Sequence, residues 1–139
     1  MNEPIIKLSS LSERAREIIR SAAFRPRQNL CFANAGKAVT KLDGLQYAEG
    51  WVSGDGGNTI FAHAWVVVDG QEIDLTLPIL PLIFTRRTFT AKRYVKALKR
   101  GFYGFITPEL VPGRSIYPPA DWWPRNVLEV NGAYNPRPS

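Results

Sequence analysis

Two short runs of β-forming residues, Ile60 to Val68 and Gln71 to Leu75, are separated only by Asp69-Gly70. An Asp-Gly pair between such runs is a strong signal for a two-residue hairpin turn, because both central positions need a positive φ. A tight turn there fixes the register: paired positions sum to 139, so 65 faces 74 and 63 faces 76. Side chains alternate along a strand, which puts His63 and Trp65 on one face. Asp74 is then the diagonal neighbour of His63 on that face, about 7 Å away between backbones and within reach of a side-chain hydrogen bond. A bulge would shift the register by one and turn Asp74 away.

His63 is the chain's one histidine, and the one cysteine, Cys31, lies upstream. A thiol, an imidazole and a carboxylate are the parts of an activated nucleophile. The thiol is expected at a helix start. Leu30 to Leu42 repeats Cys31, Ala35, Ala38 and Val39 at helical spacing, is preceded by Gln28-Asn29 and stops near Gly44. The positive end of a helix and a nearby imidazolium both favour thiolate. His63 would serve as base and then acid, and Asp74 would orient its ring. The Cys31 backbone N–H, and more weakly the Gln28 amide, are candidate donors to an oxyanion. Trp51 and Trp65 are read as core or cleft walls. Glu49, between Tyr47 and Trp51 in a strand from Leu45 to Ser53, is either a site residue or a solvent-facing charge, the second reading being preferred.

The rest of the chain suits a single α+β domain spanning 1–139. Ser10 with Glu13 resembles a capping box, opening a helix that carries Leu11, Ala15, Ile18, Ile19 and Ala22 and ends by Pro26. Thr76 to Phe84, with Pro78 and Pro81, is read as an apolar loop over the core. Phe102 to Ile106 resembles a strand. From about Pro108 the chain is Pro-rich, with Trp122, Trp123 and Tyr134, and is read as an irregular tail.

Net charge is +6, and no acidic residue falls between Asp74 and Glu109. Arg86, Arg87, Lys92, Arg93, Lys96, Lys99 and Arg100 lie in that interval, read as a basic helix capped by Thr88 or Thr90. Such a field draws anionic partners, whether nucleic acid or an acidic protein. A solvated helix face is the plainer reading. No apolar run approaches the roughly 20 residues of a membrane span, and Met1 to Pro4 lacks the order of a signal peptide. One cysteine allows no internal disulfide, which fits a reducing cytoplasm. Neither a CxxC pair nor HExxH is present, so no metal or other cofactor is expected.

Cys31 at a helix start, His63 in Ala62-His63-Ala64-Trp65-Val66 and Asp74 in Ile73-Asp74-Leu75-Thr76 together resemble the transglutaminase-like branch of the papain-like cysteine proteases. The likeness covers roughly Leu30 to Leu77 and implies a fold of N-terminal helices packed on a small antiparallel sheet. It implies Cys31 as nucleophile, His63 as general base and Asp74 as the orienting acid. The hairpin is also similar to that of the leader-peptide proteases of lasso-peptide biosynthesis, which belong to this branch. The pattern C…NA…YxEGW…HAWVVVDG…IDLT resembles small uncharacterised phage and bacterial proteins. The interval from His63 to Asp74 is shorter than in large transglutaminases, and the chain after Leu77 matches no such family. The implied activity is thiol-dependent acyl chemistry on a peptide or small amide or ester, with hydrolysis preferred over amine transfer. The alternative is a catalytically silent papain-like binding module that contacts a partner through its basic helix and the Trp122-Trp123 pair.

Overall fold

The computed structural model describes residues 3–99, the side chains of 97–99 excepted. The expected strand at 102–106, the Pro- and Trp-rich tail, the Lys99 side chain and Arg100 therefore lie outside the described residues.

Among the described residues, three α-helices and a four-stranded antiparallel sheet follow in the order α1 (Glu13–Ala22), α2 (Cys31–Lys41), β1 (Gln46–Ser53), β2 (Phe61–Val68), β3 (Gln71–Ile73), β4 (Leu82–Phe89) and α3 (Ala91–Lys99). The spatial order of strands is β3-β2-β1-β4. The architecture is thus α+β, with helices beside a small antiparallel sheet.

The hairpin has the register that its turn dictates. Val66 pairs with Ile73, Val67 with Glu72 and Val68 with Gln71. Asp69 and Gly70 both take positive φ, at 51° and 75°, as the tight turn requires. Extending the ladder by one pair sets Asp74 opposite Trp65.

The two faces of the sheet bury different sets of side chains. Tyr47, Ala64, Val66, Val68 and Phe89 join Ala15, Ile18 and Ile19 of α1, Ala35, Ala38 and Val39 of α2, and Tyr94 of α3 in the main core. Ala48, Val52, Trp65 and Val67 form a second cluster on the other face, packed by Leu80 and Ile83. Tyr94 packs against Tyr47 with tilted rings, 4.3 Å between centroids. Its hydroxyl fills the space where a Cβ of Gly36 would stand, so α2 and α3 approach closely only because position 36 has no side chain.

Several boundaries differ from the sequence reading. Ser12, not Ser10, caps α1, its hydroxyl accepting from Ala15 N at 3.2 Å. Ser10 instead closes a short 3₁₀ turn at Leu8–Ser10 by donating to the Lys7 carbonyl. Leu11 is buried after that turn, so the extended residue that can cap is the next one, Ser12. The segment read as a loop to Phe84 turns into β4 at Leu82, directly after Pro81. Both prolines precede the strand and cost it no ladder bond; Leu80 still packs over the second cluster.

The basic helix is also corrected. Arg86 and Arg87 belong to β4, and α3 starts at Ala91, with Thr90 Oγ1 accepting from Arg93 N at 3.2 Å. Arg86 pairs with Gly50, on the face away from α3, and makes a 2.7 Å ion pair with Glu72. Arg93 stacks over Phe89, 5.0 Å from its centroid. Lys92 and Lys96 line a groove with Val39, Thr40 and Asp43. The basic residues are therefore divided between the two sides of the sheet.

Candidate active site

Cys31 is the first residue of α2, and the backbone before it is built to present that helix end. Ile5 bridges Arg27, and the amides of Ile6 and Gln28 donate to Pro26 and Pro4 carbonyls at 2.8 Å each. Asn29 then takes a positive φ of 63° and turns the chain into α2. Leu30 occupies the N-cap position, with no side-chain cap on the first turn. The first-turn N–H groups are thus free of a side-chain acceptor, at the positive end of the helix.

His63 sits on β2 opposite Gly50. Its Nε2 lies 2.6 Å from Asp74 Oδ2, and both side chains are about 3% exposed. A carboxylate only accepts, so Nε2 carries the proton and donates. Nδ1 is left for the thiol. The ring stacks on Trp65 (5.8 Å, 26°) and meets Phe61 edge-on (5.8 Å, 70°). Asp74 is itself held by its second oxygen. Oδ1 accepts from the backbone N–H of Thr76 at 2.8 Å and of Leu77 at 2.9 Å.

Cys31 completes the group from the helix side. Its sulfur raises the His63 pKa, as a hydrogen-bonding and as a charged partner of the ring. Burial is the largest influence on His63 and works against the imidazolium. The Asp74 hydrogen bond, the Cys31 contact and the charges of both outweigh it, and the pKa is pushed up to about 9. Cys31 is the solvent-open member of the three, half-buried where His63 and Asp74 are covered.

The remaining candidates are placed less centrally. Gln28 is exposed. Trp65 is fully buried, touches the His63 ring and donates from Nε1 to Glu72 Oε1 at 2.8 Å; that carboxylate oxygen also holds Arg86. Trp51 pairs with Ala62, one position from the Gly50–His63 pair, and is 3% exposed. Its indole N–H has no hydrogen-bond partner among the described residues.

Glu49 is not a solvent-facing charge. It is fully buried and accepts the Tyr47 hydroxyl at 2.6 Å. Parity puts Tyr47 and Glu49 on the helix side of the sheet, where Tyr94 of α3 packs against Tyr47. Burial, then the Glu49 charge and hydrogen bond, push the Tyr47 phenol far above its ordinary range.

Sequence reasoning missed Asn34. It is 2% exposed, one helical turn beyond Cys31. A buried amide beside an apolar stripe is itself a signal, because such a group must be hydrogen-bonded.

A cleft of about 520 Å³ runs outside β3, lined by Ser12, Arg14, Gln71, Glu72, Ile73, Asp74, Pro78 and Leu80. Among the described residues no three His, Cys, Asp or Glu side chains gather as metal ligands, and no described helix is long and apolar enough to cross a membrane. No protein-family model, curated protein or solved structure matches the chain.

Proposed function

We propose that the chain is a cysteine-dependent acyl hydrolase of the papain-like, transglutaminase-like type, acting on an amide or ester through Cys31, His63 and Asp74. The observation that carries this reading is the buried 2.6 Å contact of His63 with Asp74, on a ring that also answers to the Cys31 sulfur.

An imidazole raised to about 9 is protonated at neutral pH and stabilises a neighbouring thiolate. The thiolate attacks the substrate carbonyl carbon, forming a C–S bond as the carbonyl electrons move to oxygen. First-turn N–H groups of α2, including that of Cys31, are the available oxyanion donors. Collapse of the tetrahedral species breaks the bond to the leaving amine or alcohol, which takes its proton from His63. The neutral imidazole then draws a proton from water, hydroxide adds to the thioester, and the acid product leaves with Cys31 regenerated. Asp74 keeps Nε2 protonated and the ring oriented throughout.

The test is acylation by a p-nitrophenyl ester, followed by mass spectrometry of the intact chain. An acyl adduct on Cys31 that forms in a burst, disappears in Cys31→Ala and slows by about 10²-fold or more in His63→Ala supports the reading. Equal slow acylation of native protein and His63→Ala would contradict it and leave a non-catalytic module of this fold.

A further inference from the structure

The catalytic reading leaves open what holds the helix bearing the sulfur against the turn bearing the carboxylate. Cys31 opens α2, and Asp74 follows β3. Asn34 spans that gap. Its Nδ2 donates to Thr76 Oγ1 at 2.9 Å and to the Arg27 carbonyl at 2.9 Å. Its Oδ1 accepts from Arg27 N at 3.0 Å. Both amide protons and one acceptor lone pair are used, the near-complete pairing that a buried amide needs.

The partners are informative. Arg27 belongs to the loop that turns into α2. Thr76 belongs to the turn whose backbone N–H groups hold Asp74 Oδ1. Asn34, Thr76, Asp74, His63 and Cys31 therefore form a loop of contacts closed by the first turn of α2 itself. We infer that Asn34, acting through Thr76 Oγ1, is a positioning residue that sets the distance between the Cys31 sulfur and the His63 ring. This inference rests on the catalytic reading above. Asn34 touches no reacting atom. Its part is to hold two elements in one geometry, where a displacement of about 1 Å can cost on the order of 10²-fold in rate.

Thr76→Val removes the hydroxyl with little change in shape and leaves both backbone donors on Asp74. Iodoacetamide alkylation of Cys31 is followed across pH in native protein, Thr76→Val, Thr76→Ser and Asn34→Ala, with thermal melts alongside. The expected result is that Thr76→Val slows alkylation at pH 7 on the order of tenfold and moves its pH profile toward that of His63→Ala, while Thr76→Ser restores both. Asn34→Ala, where it folds, behaves like Thr76→Val, and the double variant is no slower than either. A lowered melting point with the native pH profile in Thr76→Val marks a purely structural tie and overturns the inference. If the native thiol shows no acceleration, the catalytic reading fails and takes this inference with it. An accelerated native thiol with unaltered variants removes the inference alone.

Discussion

His63 Nε2 and Asp74 Oδ2 lie 2.6 Å apart, His63 on β2 and Asp74 directly after β3, diagonal to one another across a hairpin whose turn is Asp69-Gly70. The pair is buried, so its strength is not diluted by water, and breaking one side leaves the other without compensation. Four expectations follow from this pair and from the strands that carry it.

Asp74→Asn removes the acceptor that sustains the imidazolium while the ring stays buried. The His63 pKa is expected to fall from about 9 toward or below the ordinary value of about 6.5. A chain with one histidine makes this simple to read, since the imidazole resonances in an NMR titration need no assignment. A pKa that stays near 9 in Asp74→Asn contradicts the role given to the carboxylate.

Cys31→Ala is expected to lower the same pKa by a smaller amount, because the sulfur supports the imidazolium less than Asp74 does. The fold should persist, as Cys31 is only half-buried and the change is conservative in volume. Thermal melting checks the fold, and the NMR titration checks the coupling. An unchanged pKa means that sulfur and ring do not interact in solution.

Stability should carry the same signature. The folded-state pKa of His63 lies above its unfolded value, so folding binds the proton more tightly. The stabilisation is fully present below about pH 6.5 and is lost as pH rises through about 9. Urea unfolding of native protein and His63→Gln at pH 6, 7.5 and 9.5 isolates this contribution by difference. The gap between the two should narrow steadily with rising pH; a constant gap contradicts the assigned shift.

Gly50 is opposite His63 on β2 and Arg86 on β4. A Cβ there would stand 1.9 Å from the Thr85 carbonyl oxygen, which is backbone and cannot swing aside. Gly50→Ala should therefore destabilise the fold by about 3 kcal/mol, measured by urea denaturation, as β1 and β4 separate. A loss below about 0.5 kcal/mol would mean that the strands are farther apart than described.

The hairpin and its diagonal pair were legible because one turn dipeptide determines register, and register determines which side chains meet. The placement of Cys31 was legible because the apolar spacing of α2 starts there. The Ser10 cap was misplaced because three serines stand at 9, 10 and 12, and only the burial of Leu11 selects the last. Glu49 was misread because alternation reveals which residues share a face, but not that α3 folds back to cover that face. Asn34 was overlooked for a similar reason: its partners, Arg27 and Thr76, are 7 and 42 positions away. The division of the basic residues depends on where β4 ends, and Arg86-Arg87-Thr88 carries no local signal separating strand from helix.

The most direct measurement is the rate of Cys31 alkylation by iodoacetamide between pH 5 and 10, in native protein and in His63→Ala. The native thiol is expected to be alkylated rapidly at neutral pH, and His63→Ala to slow that reaction by about 10²-fold and to change the shape of the pH profile. Superimposable profiles for the two proteins would contradict it, because sulfur and imidazole would then be chemically independent.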